Sequence, residues 1–141
     1  MKAKAAVLFE VGQRLQIRDV EVQAPRADEV LVRMAAGGIC HSDLHAMTGH
    51  LVASLPAILG HEGSGIVADV GPGVTSVKPG DHVIPLWRLS CGTCEYCSDG
   101  RPALCPEGTQ IRMTGRLLDG STRFTLDGQE IKHFAGVSSF A

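Results

Sequence analysis

The sequence predicts a mainly β domain, a barrel or a sandwich that carries only short helices. Glycine is abundant at 17 of 141 residues, while aromatic residues make up only 4%. Short apolar segments are separated by glycine- and proline-rich turns, and no stretch shows a convincing ten-residue helical period. Apolar residues at 44% and charged residues at 20% are enough to form a packed core.

The predicted strands follow one another at short intervals along the chain. Alternation of apolar and polar residues is clearest in the second strand, and Gly12-Gln13 is the expected turn before it. Lys78-Pro79-Gly80-Asp81 is a second strong turn signal, and Asp127-Gly128 is typical of a β-hairpin. Strands are expected over residues 4–9, 15–22, 29–36, 63–70, 82–87, 122–126 and 129–134.

One short helix or turn is expected over residues 40–48. Ser42 or Asp43 lies near its start, and both are residue types that cap helices with a side-chain oxygen. The remaining segments contain no repeat and no low-complexity tract.

The charge and hydropathy of the chain exclude several classes of partner. The formal net charge is −2, so no basic field is available for nucleic acid or for an anionic membrane surface. No apolar run approaches the roughly 20 residues that a membrane helix needs. The start, Met1-Lys2-Ala3-Lys4, lacks the apolar stretch of a secretory signal. We therefore expect a cytoplasmic protein that binds neither nucleic acid nor membranes.

Four of the five cysteines form one compact motif. The odd total argues against a disulfide framework in a chain without a secretory signal. Four closely spaced thiolates match the closed tetrahedral shell of structural zinc, in a lobe of about residues 88–108. An iron–sulfur cluster and two strained local disulfides are the alternatives, although ferredoxin-like spacing has three residues in its last gap instead of seven. The motif is Cys91-x2-Cys94-x2-Cys97-x7-Cys105.

The fifth cysteine belongs to a second group of polar residues. Cys40 lies in one such cluster and His61-Glu62 in another, and thiolate, imidazole and carboxylate are the donors of catalytic zinc sites. On spacing alone the alternative is a buried cysteine in a turn and a histidine of the core.

Several motifs together resemble the zinc-containing alcohol dehydrogenases of the medium-chain dehydrogenase family. Gly60-His61-Glu62-x2-Gly65-x5-Gly71-x2-Val74 resembles the family signature, and residues 37–43 (GGICHSD) resemble its first zinc-ligand segment. The four-cysteine motif resembles its structural zinc lobe, and residues 77–83 resemble its characteristic turn. The resemblance covers essentially all 141 residues in order.

This resemblance implies a GroES-like β-barrel catalytic domain, which in the family is followed by a Rossmann coenzyme domain. It also implies oxidation of an alcohol, or reduction of an aldehyde or ketone, with NAD or NADP, in a homodimer or homotetramer. By this resemblance, Cys40 and His61 are ligands of a catalytic zinc with Glu62 beside the metal, and Asp43 is a carboxylate that orients a ligand. Ser42 and His45 form a proton relay, and His41 contacts the coenzyme pyrophosphate. The alcohol pocket is lined by Leu51, Trp87, Phe134 and Ala135.

Three features suggest that residues 1–141 form one truncated domain of a larger enzyme. The family's third catalytic-zinc ligand is another cysteine, yet only Cys40 is free for that site. Residues 134–141 stop without a cap or polar tail, and no dinucleotide fingerprint is present. We expect the isolated chain to be inactive. The alternative is a stand-alone, non-catalytic zinc-binding or protein-interaction module.

Overall fold

A computed structural model describes all 141 residues and confirms a mainly β fold. The chain contains eight strands, three short α-helices and one 3-10 turn over Pro102–Leu104. The strands are β1 (Lys2–Leu8), β2 (Gln16–Val22), β3 (Val30–Gly37), β4 (Ala57–Ile58), β5 (Gly63–Val70), β6 (His82–Val83), β7 (Phe124–Leu126) and β8 (Gln129–His133), and the helices are α1 (His41–Thr48), α2 (Glu95–Ser98) and α3 (Pro106–Thr114).

The strands form two sheets. β1, β2, β7, β8 and β4 close into a small barrel, while β3, β5 and β6 form a separate three-stranded sheet. All pairings are antiparallel except that between β4 and β8. The sheets contain no run of parallel strands joined by crossover helices, so the Rossmann coenzyme domain is absent from this chain.

The barrel interior follows from the period-two pattern of its strands. Ala5 and Val7 of β1 and Val20 and Val22 of β2 point to the same side, because alternate side chains share a face. They pack against apolar residues contributed by the three other barrel strands, namely Ile58, Phe124 and Ile131.

A second apolar cluster attaches helix α1 to the barrel. Ala46 of α1 is buried with Leu8, Ala57 and Leu59. Phe140 packs against both this cluster and the barrel core, and its backbone bonds to Ala6 and Leu59 at 2.9 and 3.2 Å. The helix is therefore held beside residues 59–62 by contacts that come from opposite ends of the chain.

A buried ion pair joins the barrel to the second sheet. The Arg123 side chain is only 6% exposed and donates to both carboxylate oxygens of Glu29, at 2.7 and 2.6 Å. It also donates to Asp119 at 2.6 Å. A hydrogen bond from Ser121 and the charge of Arg123 together hold the pKa of Asp119 well below its ordinary value. Because Glu29 lies just before β3, this network fixes where that sheet begins.

Two local predictions were wrong in detail. The strand expected over 82–87 ends at Val83, since Pro85 has no amide for a sheet ladder. The cap of α1 is Cys40, whereas Asp43 stands in the first turn and binds back to the Cys40 amide at 3.0 Å.

Helix α3 was not predicted. It has Pro106 at its first position and ends at Thr114, and the following Gly115 has a φ of 66°, the left-handed conformation common after helices. Its residues are mostly polar, so the sequence carries no apolar stripe that would reveal it. At nine residues it is the longest helix, and no helix reaches the length that a bilayer span requires.

Candidate functional site

The fold brings Cys40, His61 and Glu62 together. Their ligand atoms all lie within 4.8 Å of one another. Cys40 caps the start of α1, while His61 and Glu62 lie in the segment that leads into β5. His61 is buried, Cys40 is half-buried and Glu62 is exposed, so the group opens toward solvent on one side.

Asp43 ties the two segments of this site together. One carboxylate oxygen accepts the Cys40 amide at 3.0 Å, and the other accepts the Gly60 amide at 3.0 Å. That second oxygen also lies 3.4 Å from Nδ1 of His61, although this contact is not a hydrogen bond. The Asp43 side chain is only 3% exposed. It therefore lies where a residue that orients a ligating imidazole is expected.

The geometry of His61 fits a metal ligand. Its Nδ1 is buried without a hydrogen-bond partner and faces the Asp43 carboxylate, which leaves Nε2 as the nitrogen free to bind an ion. A thiolate, an imidazole and a carboxylate within reach of one point are a donor set that zinc accepts, with a fourth position open.

Two glycines let the backbone pass close to this group. A Cβ on Gly38 would lie 2.7 Å from a carboxylate oxygen of Glu62, and one on Gly60 would lie 2.5 Å from Ser139 Oγ. Gly60 also has a φ of 84°, which side-chain-bearing residues adopt at a cost. The close approach at Gly38 was not predicted, since Gly37-Gly38 was considered only as part of the zinc-ligand motif over residues 37–43. The signal of a close approach was the glycine pair immediately before a candidate ligand.

The predicted proton relay lies along helix α1. Ser42 Oγ is 3.6 Å from Cys40 Sγ, and His45 follows one turn later on an exposed position. The His45 ring centre lies 4.6 Å from that of His41 and 5.7 Å from that of His50. Ser42 is therefore next to a candidate ligand, whereas His45 and His41 face solvent.

Two of the four predicted pocket residues lie beside His61. The ring centres of Trp87 and Phe134 are 6.1 and 5.5 Å from that of His61, both in edge-on arrangements. Ala135 is buried, with a positive φ of 52°. Leu51 is exposed, and its amide donates to the carbonyl of His45 at 3.1 Å.

The four remaining cysteines form a second group. Their sulfur atoms all lie within 4.8 Å of one another, and Cys97 is 3.5 Å from Cys94 and 4.0 Å from Cys91. Zinc–sulfur bonds of about 2.3 Å in a tetrahedron place sulfurs about 3.8 Å apart. A disulfide needs about 2.05 Å, and a multi-iron cluster spreads its thiolates over several atoms. The spacing therefore fits one tetrahedral ion.

Backbone amides are aimed at these sulfurs. Cys94 donates to Cys91 Sγ at 3.3 Å, and Gly108 donates to Cys105 Sγ at 3.4 Å. Amide donors from Thr93 and Cys94 lower the pKa of Cys91 to about 6, and the amide of Gly108 lowers the pKa of Cys105. Burial raises the pKa of Cys97 to about 12. A divalent cation among the sulfurs would offset that desolvation, so the lobe fits a resident zinc ion.

Residues 26–129 match the family model described as the alcohol dehydrogenase GroES-like domain. The chain belongs to this family. The match includes both cysteine-containing groups and the whole three-stranded sheet, whereas β1, β2 and all but the first residue of β8 lie outside it.

Relatives of this GroES-like chain are oxidoreductases. The S-(hydroxymethyl)glutathione dehydrogenase of Escherichia coli O1:K1 / APEC is 44% identical over the whole chain. The structure of an alcohol dehydrogenase zinc-binding domain protein from Burkholderia ambifaria matches 99% of the chain at 39% identity, with a TM-score of 0.93. Benzyl alcohol dehydrogenase from Acinetobacter calcoaceticus matches the same share at 36% identity, with a TM-score of 0.86.

The GroES-like chain is much shorter than these relatives. It spans 38% of the Escherichia coli enzyme, 38% of the Burkholderia ambifaria protein and 37% of the Acinetobacter calcoaceticus enzyme. The shared part is the zinc-binding β domain described above.

Proposed function

We propose that this chain supplies the metal-binding catalytic part of a cytoplasmic, NAD(P)-dependent alcohol dehydrogenase. The reaction is alcohol plus NAD(P)⁺ giving aldehyde or ketone plus NAD(P)H and a proton. The observation that carries the proposal is the group of Cys40, His61 and Glu62, whose geometry is held by the buried Asp43. We further propose that the whole enzyme is a homodimer or homotetramer.

The chain's own residues have distinct tasks around the reacting alcohol. A zinc ion held by Cys40 and His61, with Glu62 beside it, would act as a Lewis acid that makes the alcohol hydroxyl more acidic. Ser42, next to Cys40, accepts the hydroxyl proton as it gives its own proton to the imidazole of His45, which is exposed and releases a proton to solvent.

The pocket walls keep water from the reacting carbon. Trp87 and Phe134 stand beside His61. Leu51 and Ala135 are proposed to line the same pocket, as the family resemblance implies. A dry pocket strengthens the polar interactions inside it and protects the hydride that leaves the alcohol carbon. His41, exposed at the start of α1, would contact the pyrophosphate of the coenzyme when it binds.

The isolated chain is proposed to be inactive as a dehydrogenase. Its sheets do not form a dinucleotide-binding fold, so the hydride donor and acceptor are not held in a reactive geometry within it. Loss of such positioning costs roughly 7–11 kcal/mol of barrier lowering. We expect no alcohol-dependent reduction of NAD or NADP by the purified chain, and turnover that depends on both alcohol and coenzyme would contradict this expectation.

Cobalt substitution tests the metal assignment without relying on activity. Co²⁺ absorbs visibly when bound by thiolates, so the two groups can be followed separately in variants of each. We expect Cys40→Ser and His61→Asn to lose the same absorption bands, and Cys94→Ser to lose a different set. If Cys40→Ser and His61→Asn bind cobalt as the unmodified chain does, the catalytic-site assignment fails, and a zinc module with one structural site remains.

A further inference from the structure

Three exposed histidines lie together on helix α1 and the loop that follows it. His41 and His45 are four residues apart and therefore neighbours on the helix surface, and His50 comes two residues after the helix ends. The ring centre of His45 lies 4.6 Å from that of His41 and 5.7 Å from that of His50, so His45 is the middle member of the group. None of the three belongs to either of the two cysteine-containing groups.

The spacing of the first two rings fits two ligands of one metal ion. An imidazole nitrogen binds zinc at about 2.0–2.1 Å, which puts the ion about 3.2 Å from the centre of the ring. Two imidazoles at right-angled or tetrahedral positions on one ion then have ring centres about 4.5–5.2 Å apart. The 4.6 Å between His41 and His45 falls in this range. The exposed ring of His50 needs only a rotation of its side chain to come as close to His45.

Thr48 favours the form of His50 that can bind a metal. The Thr48 hydroxyl donates its single proton to the carbonyl of Leu44 at 2.9 Å, so it can only accept from Nδ1 of His50, which lies 2.9 Å away. A neutral His50 therefore carries its proton on Nδ1 and has a free lone pair on Nε2. Ligating histidines usually donate their second nitrogen in this way, because the acceptor orients the ring and makes the ligating nitrogen more basic.

The backbone holds His50 beside the helix. Gly49 follows α1 with a φ of 81°, the left-handed conformation that turns the chain away from the helix axis. The Leu51 amide then donates to the carbonyl of His45 at 3.1 Å. The backbone is thus fixed on both sides of His50, which lowers the entropy cost of bringing its ring and that of His45 to one ion.

We propose that His41, His45 and His50 form a third metal site, which binds a divalent transition-metal ion on the surface of helix α1. Imidazole suits zinc, nickel and copper, and three protein ligands leave the remaining positions to water. The site can be measured without any activity, whereas its consequence rests on the proposed dehydrogenase function. A nitrogen whose lone pair binds an ion cannot accept a proton, so an ion bound here would remove His45 from the proposed proton relay.

Nickel binding tests the site in the Cys40→Ser chain, where Ni²⁺ cannot bind the thiolate of the neighbouring group. The protein is dialysed against a mild chelator, so that zinc remains only in the four-cysteine group, and Ni²⁺ is then titrated by calorimetry. We expect about one Ni²⁺ per chain. Because Ni²⁺ is paramagnetic, it should selectively broaden the imidazole proton signals of His41, His45 and His50 in NMR spectra. Mg²⁺, which prefers oxygen ligands, should produce no such response.

Single substitutions identify the ligands. In the same Cys40→Ser background, His41→Asn, His45→Asn and His50→Asn should each weaken Ni²⁺ binding about tenfold or more, since even the loss of an outer partner of a ligating histidine costs about 10- to 100-fold. His82→Asn is the matched control, because His82 is exposed on β6 and is not part of the group. Circular dichroism and the retained zinc verify that each variant is folded. Unchanged affinity in any of the three variants, or an equal loss in His82→Asn, overturns the three-histidine site.

Thr48 offers a test that leaves every ligand in place. Thr48→Val removes the acceptor for His50 at an exposed position and keeps the shape of the side chain, so Ni²⁺ binding should weaken about tenfold or more. Thr48→Ser keeps the hydroxyl and should keep the affinity. Equal binding in Thr48→Val and Thr48→Ser rejects the place of His50 in the site. Absence of Cys40-dependent cobalt bands rejects the dehydrogenase function alone, while the nickel titration still decides the third metal site.

Discussion

The carboxylate of Asp43 lies 3.4 Å from Nδ1 of His61. The same carboxylate accepts the backbone amides of Cys40 and Gly60, so one buried side chain on helix α1 places both candidate ligands of the metal. A substitution of Asp43 is therefore expected to weaken metal binding even though all candidate ligands are retained.

Asp43→Asn should weaken cobalt binding at the Cys40 site about 10- to 100-fold, as is usual when a partner of a ligating histidine is lost. An amide offers one acceptor oxygen, so its NH₂ group would face either a backbone amide or the imidazole. Spectroscopic cobalt titration measures the affinity. Asp69→Asn is the control, because Asp69 is exposed and accepts only the amide of its neighbour Val70. Equal affinities in the two variants would reject the orienting role of Asp43.

The two metal groups should differ in how tightly they hold zinc. Four thiolates form a complete shell, whereas the second group has one thiolate, one imidazole and an exposed carboxylate. From these ligand counts we expect about one zinc per chain to survive dialysis against a mild chelator. Cys94→Ser should lose it, become less stable to heat and be cut more readily by protease between residues 88 and 108.

Cys40→Ser serves as the comparison for this experiment. It should retain the tightly held zinc and resist protease as the unmodified chain does. Two zincs retained by the unmodified chain, with one lost in Cys40→Ser, would show that the catalytic-type site is complete without a further ligand.

Gly60→Ala should destabilise the chain more than Gly120→Ala. Both glycines have a positive φ, of 84° and 75°, so both variants carry a similar backbone strain. Only at Gly60 would the new methyl group overlap a neighbour, the Phe140 ring and Ser139, whereas the space around Gly120 is open. Overpacking of this kind costs about 1–3 kcal/mol. Urea unfolding measures the difference, and equal losses of stability would show that residues 139–140 are not packed there.

His133 should make the stability depend on pH. Its Nε2 accepts the Arg123 amide at 3.2 Å, and its Nδ1 is buried without a partner. Burial, followed by the charge of Arg123, lowers the pKa of His133 to about 4 from an ordinary value of 6.5. Between these two values the unfolded chain binds the proton and the folded chain does not. Folding stability is therefore expected to fall as the pH drops from 6.5 to 4, by up to about 1.4 kcal/mol per pH unit.

His133→Gln isolates this contribution, since a glutamine oxygen can still accept the Arg123 amide. Urea unfolding of the zinc-loaded chain at pH 7, 6 and 5 should show a smaller loss of stability for His133→Gln than for the unmodified chain. His82→Gln, at an exposed position, should follow the unmodified chain. Parallel curves for His133→Gln and the unmodified chain would contradict the lowered pKa.

Local patterns in the sequence were sufficient to predict most strands and one hairpin turn. The hairpin at Asp127-Gly128 and the strand over 63–70 are in the structure as predicted, because turn chemistry and period-two alternation act between near neighbours. The spacing of the four cysteines likewise predicted that their sulfur atoms lie around one point, and this prediction needed no information from the rest of the chain.

The sequence alone determined the mainly β class, the four-cysteine group and the family motifs, since each is encoded by residues close together in the chain. Tertiary structure decided the rest. The Gly60 amide donates a hydrogen bond to Asp43, which is 17 residues away in the sequence. Arg123 donates to Glu29, which is 94 residues away. Such contacts form only after the barrel closes and the two sheets are in place, and no local propensity specifies which distant backbone amide a buried carboxylate will meet.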